Sequence, residues 1–305
     1  MKDTQLNNPE FNKLVGQFKR ELEKEEKSET YAYQHESNVK EFLQFLEKKD
    51  VKSIKNVTQE MAEDYVSYLE KRINIRRGGT LSPQTINKQK GGINRFWKFL
   101  ELERHNVNPV YLRYKKREQE IPPVYSQQEI QWLYSVTDDS AIGYRDRCML
   151  ALYYGCGLRR GEGMEIVLQD IDFGKGRVLI RDPKNGRDRY VMFSPKVQQM
   201  IEAYVYQARD LYLPEGAQYD NLFISERGAP IQYETAKARM TSLAKRVQNR
   251  YQTERLLNGI HALRHSLGTH LHMAGMDVDK IAFMLGHRTL ESTQLYIHSA
   301  NDLKS

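Results

Sequence analysis

The sequence predicts a mainly α-helical chain with a small antiparallel β-sheet, divided into two domains. Three observations predict it. Apolar residues recur at helical spacing over four segments of the first hundred residues. Short apolar runs bounded by turn signals cluster within residues 166–193, around an Asn185-Gly186 turn. Between the two regions, residues 114–123 are rich in charge and close on Pro122 and Pro123, the composition of an extended linker. The predicted division is therefore a helical domain over 1–113, a linker over 114–123 and a second, α+β domain over 124–305. At 305 residues the chain is long enough for two cores.

Four helices are expected before the linker. The first spans 9–27, with Phe11, Leu14, Val15, Phe18 and Leu22 on one face. The second spans 29–48, lined by Val39, Phe42, Leu43 and Leu46, with Ser28 or Thr30 as its cap. Thr58 starts the third, whose acidic Glu60 suits the positive end of the helix dipole. The fourth runs from Ser82 to Leu102, with Pro83 at its first position and Ile86, Ile93, Phe96, Phe99 and Leu100 facing inward. Its other faces carry Asn87, Lys88, Lys90 and Arg95, and a basic loop holding Arg76 and Arg77 precedes it. Asn87 is suited to an adenine edge and the cations to phosphates.

After the linker, Ser126 and Glu129 form a capping-box pattern. A long apolar helix is expected to follow, through Ile142, Cys148 and Tyr153, ending at Gly155-Cys156-Gly157. Strands are expected from Ile166, over Val178–Ile180 and over Arg189–Phe193, with Lys184 at the hairpin tip. A helix from Ser194-Pro195, a short strand at 221–224 and a helix over 236–247 come next. His261 to Leu285 then reads as two helices broken at Gly275, the second stopping at Gly286.

Charge narrows the function. The net is +7, but residues 71–120 hold 13 Lys and Arg against 4 acidic residues, whereas residues 1–70 hold 11 against 15. That one basic block points to a polyanionic partner. No apolar run is long enough to span a membrane and the first residues lack a signal core, so a cytoplasmic protein is expected. The two cysteines, Cys148 and Cys156, make no disulfide framework.

His261 and Arg264 are three apart and share a helix face; His287 follows the stop at Gly286, and Tyr296 comes nine residues later. Arg159 follows two glycines that let the backbone turn sharply, with Arg160 beside it as a competing choice. His261 and His265, four apart, also have the spacing of a metal pair, but no HExxH glutamate and no cysteine pair accompanies them. Glu162 reads as a structural partner for a cation.

Taken together, Tyr-Gly-Cys-Gly-Leu-Arg159-Arg-Gly-Glu, hairpin Lys184, His261-x-x-Arg264, Leu-Gly-His287 and Tyr296 resemble the tyrosine site-specific recombinases, the phage-type integrases and Xer recombinases. The resemblance covers about residues 122–299 and, more loosely, the N-terminal helices. It implies an N-terminal four-helix core-binding domain and a C-terminal α+β catalytic domain. It implies a site of Arg159, Lys184, His261, Arg264 and His287 around the nucleophile Tyr296. It further implies a 3′-phosphotyrosine intermediate and a Holliday junction, without metal or other cofactor. The implied partners are double-stranded DNA with a specific site, a homo-tetramer on that DNA, and accessory DNA-bending proteins. The implied task is integration or excision of a mobile element, inversion or dimer resolution. The sequence departs from the family's pattern at Pro183 and Asn185, at Arg288 after His287, and in the nine residues after Tyr296.

Overall fold

The computed structural model describes residues 5–25, 28–74, 78–115, 123–182 and 188–286. The chain divides into two compact units, residues 1–119 and 120–305.

The first unit is built on helices α1 (Pro9–Lys24), α2 (Glu29–Glu47), α3 (Gln59–Lys71) and α4 (Pro83–Leu102). Each starts where a small polar side chain satisfies otherwise orphaned N–H groups: Asn8, Ser28, Thr58 and Ser82 all accept from the first turn. Their apolar faces meet in one core that includes Phe18, Phe42, Tyr65, Phe96 and Trp97. Phe18 and Phe96 pack edge to face at 5.3 Å, and Phe42 lies 5.8 Å from Trp97.

An extended segment over residues 108–115 is fastened to this bundle by side-chain amides. Gln59 donates to the Tyr111 carbonyl at 3.1 Å and accepts its N–H at 2.9 Å. Asn94 does the same for Leu112, at 2.9 and 2.8 Å, and Asn87 for Lys115, at 2.9 and 3.0 Å. Each amide replaces the partner a neighbouring strand would supply, so the segment needs no sheet to satisfy its backbone.

In the second unit, α5 (Gln127–Ser135) starts at the expected capping box, Ser126 with Glu129. The expected long helix is broken. Residues 136–140 leave the helix, and Ser140 caps a new one, α6 (Ala141–Leu150), by accepting from Gly143 N–H at 3.1 Å. Asp138 accepts from Ser140 N–H at 3.2 Å, and such an aspartate bonded to nearby backbone favours a turn over a helix. A π-helical turn, Ala151–Gly155, carries the chain to Cys156. Both cysteines are buried, and burial raises the pKa of each thiol, that of Cys156 to about 12.

After α7 (Arg160–Glu165), strands β1 (Ile171–Asp172), β2 (Arg177–Ile180) and β3 (Arg189–Met192) form an antiparallel sheet in that order. Ile171 pairs with Val178, and Ile180 with Arg189. The strand expected at 221–224 is absent. Only isolated bridges form there, Val167 with Asn221 and Ile224 with Pro230. The reason lies in two arginines: Arg209 donates to the Asn221 carbonyl and buried Arg145 to that of Ile224, at 2.8 Å each, taking acceptors a strand would need.

Helices α8 (Pro195–Gln207), α9 (Tyr233–Tyr251), α10 (Ile260–Met273) and α11 (Val278–Leu285) complete the described part of the unit. Among the described residues, no helix is long and apolar enough to cross a membrane.

Candidate active site

The site assembles from four places in the second unit: the start of α7, the start of β3, the first turns of α10 and the end of α11. Gly157 makes the first possible. Its φ is +64°, and a Cβ there would sit 2.4 Å from Leu285 and 2.9 Å from Leu267. Only glycine lets the chain turn this sharply against α10 and α11.

Arg159, the residue before α7, turns inward. Its backbone N–H donates to Glu162 Oε2 and its Nη1 to Glu162 Oε1, both at 2.7 Å. Its Nη2 donates to the Gly286 carbonyl. Arg160 goes the other way and stacks on Tyr233, with its guanidinium carbon 4.3 Å from the ring centre. Of the two arginines, Arg159 is the one that shares Glu162 with Arg264.

Arg264, on α10, is 2% exposed. Nη1 donates to the Gly157 carbonyl and Nη2 to the Leu285 carbonyl, both at 2.7 Å, and Glu162 Oε2 lies 3.9 Å from Nη1. The same carboxylate accepts Arg189 Nη1 and Nη2 at 2.9 and 2.8 Å. Burial would raise the Glu162 pKa. The Arg189 hydrogen bonds, the Arg159 backbone N–H and the surrounding charges more than reverse this and hold it at about 2. Glu162 is therefore an ionised strut between guanidinium groups, unsuited to donating a proton.

His261 opens onto the same region from the first turn of α10. The residue is exposed, and its ring packs edge to face with that of His265 at 4.7 Å. Its pKa is lowered by crowding from the protein and then by the charges of Arg264, Arg160 and Arg159. A neutral imidazole at neutral pH is the form that can accept a proton.

Arg159, His261 and Arg264 are thus brought together, and Lys184, His287 and Tyr296 lie outside the described residues. So do Arg76 and Arg77 in the first unit. The remaining α4 residues differ among themselves. Lys88 is exposed. Lys90 does not lie on an open face: it is 5% exposed and donates to the Arg113 carbonyl at 3.0 Å, because its long stem crosses the buried side of α4. Asn87 is engaged with Lys115, and Arg95 pairs with Glu25.

Arg189 is the residue the sequence reading passed over. A signal was available. Arg189 and Val191 are two apart on a strand and so share a face, and Val191 is buried. A charged residue on the inward face of a strand calls for a partner, and Glu162 supplies it.

Three arginines around one carboxylate carry a net +2, a cradle for an anion with more than one oxygen. A helical first unit followed by a mainly helical second unit with a small three-stranded sheet is the architecture of the tyrosine recombinase class. Residues 124–302 match the phage integrase family and residues 11–101 the phage integrase SAM-like domain. The chain belongs to that family: it is a tyrosine recombinase, an enzyme that cleaves and rejoins DNA in site-specific recombination. It is 33% identical over 227 residues to the tyrosine recombinase XerC of Bacillus subtilis, a match covering 73% of each chain. With XerC of Oceanobacillus iheyensis it shares 29% identity over 286 residues, 92% of this chain and 89% of the relative. Its fold is similar to that of the XerH site-specific recombinase bound to difH substrate in a pre-cleavage complex. The TM-score there is 0.73 at 17% identity, covering 99% of this chain and 97% of the other.

Proposed function

We propose that this enzyme cleaves double-stranded DNA at a specific site through Tyr296. The observation that carries the reading is the shared destination of two distant arginines. Arg159 and Arg264 donate to the adjacent carbonyls of Gly286 and Leu285, at the turn that leads in sequence to His287. The two guanidinium groups stay charged at all accessible pH values and suit the non-bridging oxygens of the scissile phosphate. His287 adds a donor to the same phosphate.

In the cleavage step the Tyr296 Oη attacks phosphorus, its proton passes to neutral His261, and the bond to the 5′-oxygen breaks. Lys184 protonates that oxygen. The products are a 3′-phosphotyrosine and a 5′-hydroxyl, and the phosphodiester energy is kept for rejoining. No metal or nucleotide takes part. Fixed donors aimed at developing charge contribute roughly 10²–10³-fold each to such a step.

Recombination then proceeds as paired strand exchanges through a Holliday junction in a homo-tetramer on two DNA sites, in the cytoplasm, with DNA-bending proteins as helpers. Lys88 in the first unit, with Arg76 and Arg77, contributes phosphate contacts. The domains are taken as 1–113 and 124–305, joined by a linker over 114–123. The test is a DNA duplex with a nick beside the cleavage site, which traps the covalent intermediate. A protein–DNA adduct that forms in EDTA and is lost in Arg159→Ala supports the reading. An adduct that requires a divalent metal contradicts it.

A further inference from the structure

The cleavage chemistry leaves one member of the arginine cradle without a task. Arg189 opens β3, with its side chain 17% exposed. It grips Glu162 with both terminal nitrogens, at 2.9 and 2.8 Å, the two-pronged geometry particular to a guanidinium. Its Nε is buried with no hydrogen-bond partner among the described residues. Backbone carbonyls anchor Arg264; the two bonds to Glu162 are the ones that hold Arg189.

Glu162 has to be held, because it competes with the substrate. Its Oε1 already accepts Arg159 Nη1 at 2.7 Å, and a carboxylate binds a guanidinium best through both oxygens. Without Arg189, two guanidinium groups remain within reach: Arg159, already bonded, and Arg264, whose Nη1 is 3.9 Å away and whose terminal nitrogens are both held by backbone carbonyls. Closing onto Glu162 would draw both terminal nitrogens of Arg159 away from a phosphate. In the structure only Nη1 is so engaged, while Nη2 reaches the Gly286 carbonyl. Charge points the same way. Arg159, Arg189 and Arg264 against Glu162 leave a net +2, and loss of Arg189 leaves +1, whereas negative charge grows on the phosphate oxygens as the phosphorane-like transition state is reached. Gly286 is fitted to the arrangement: a Cβ there would lie 2.9 Å from the Arg189 guanidinium.

We propose that Arg189 is a positioning residue for DNA cleavage, occupying Glu162 so that Arg159 stays open towards the scissile phosphate. The inference rests on the reading of Arg159 as a phosphate ligand. The test compares Arg189→Met and Arg189→Lys with wild type in single-turnover cleavage of nicked DNA at saturating concentration. Two substrates are used, one with the normal scissile phosphate and one with a methylphosphonate, whose non-bridging positions carry no charge. Arg189→Met is expected to cleave the phosphate about tenfold or more slowly, the scale of a misplaced catalytic contact. On the methylphosphonate its rate should come within about twofold of wild type, since there is less charge for Arg159 to meet. Arg189→Lys keeps the charge without the two-pronged grip, so it should recover part of the rate; it carries the same comparison if the methionine variant does not fold. An equal loss on both substrates would make Arg189 merely structural and overturn the proposal. Wild type that cleaves while Arg189→Met cleaves as fast overturns this inference alone. Wild type that forms no adduct overturns the proposed function and this inference with it.

Discussion

Arg264 donates to the carbonyl of Leu285 at 2.7 Å, joining the first turns of α10 to the last residue of α11. Together with its bond to Gly157, this makes one buried side chain the common fastening of three segments. The arginine is therefore both a phosphate ligand in the proposed reaction and a structural tie.

Replacing Arg264 should cost stability as well as activity. Arg264→Ala leaves the carbonyls of Gly157 and Leu285 without this donor in a buried place. Loss of hydrogen bonds to a charged group predicts destabilisation of about 3 kcal/mol or more, read by urea unfolding. Adduct formation should fall by about 10²-fold or more in the fraction that remains folded.

Gly286→Ala should impair the site through geometry alone. The residue has φ +67°, and the new methyl would press on Arg189 at 2.9–3.0 Å. The left-handed backbone predicts a loss of about 1–2 kcal/mol in thermal unfolding. Cleavage should slow more than this loss explains, because the displaced side chain is the one that grips Glu162.

These residues show what could be read from the sequence. The four N-terminal helices were legible because apolar spacing runs through all of them and caps mark three of the starts, as at Ser82 with Pro83. Arg159, His261 and Arg264 were legible as types in a spaced pattern, and the structure gathers them. Arg189 was legible only as a charge on an inward strand face; its partner, Glu162, lies 27 residues away in sequence. The helix break at Asp138 and Ser140 was hidden by apolar residues on both sides of it. The missing strand at 221–224 was hidden for another reason: its carbonyls are claimed by Arg145 and Arg209, contacts that local propensity does not encode. Lys90 had the composition of a phosphate ligand and the position of a core residue.

The Glu162 carboxylate should make stability depend on acid in a set direction. Its folded pKa, about 2, lies below the ordinary value of about 4.3. The stabilisation is therefore present above about pH 4.3 and is lost as pH falls towards 2. Its full size is on the order of 3 kcal/mol. Wild type and Glu162→Gln should differ most in unfolding free energy above pH 5, and the gap should narrow as pH is lowered. A gap that widens on acidification would contradict the ion-pair account.

Lys88 and Lys90 should separate cleanly in DNA binding. Lys88→Ala removes an exposed charge and should lower the salt dependence of affinity by about one counterion. Lys90→Met keeps the buried stem but loses the bond to the Arg113 carbonyl. It should leave the salt slope unchanged while hydrogen exchange quickens over residues 111–115. Measuring both variants across a salt series checks the assignment of one lysine to DNA and the other to the fold.

The central claim is that Tyr296 carries the DNA strand. Trapping wild-type enzyme on nicked DNA, digesting it with protease and locating the attached nucleotide by mass spectrometry tests it directly. The account predicts a 3′-phosphate linked to the peptide containing Tyr296, and no adduct from Tyr296→Phe. A nucleotide linked to any other residue, or an adduct undiminished in Tyr296→Phe, would contradict it.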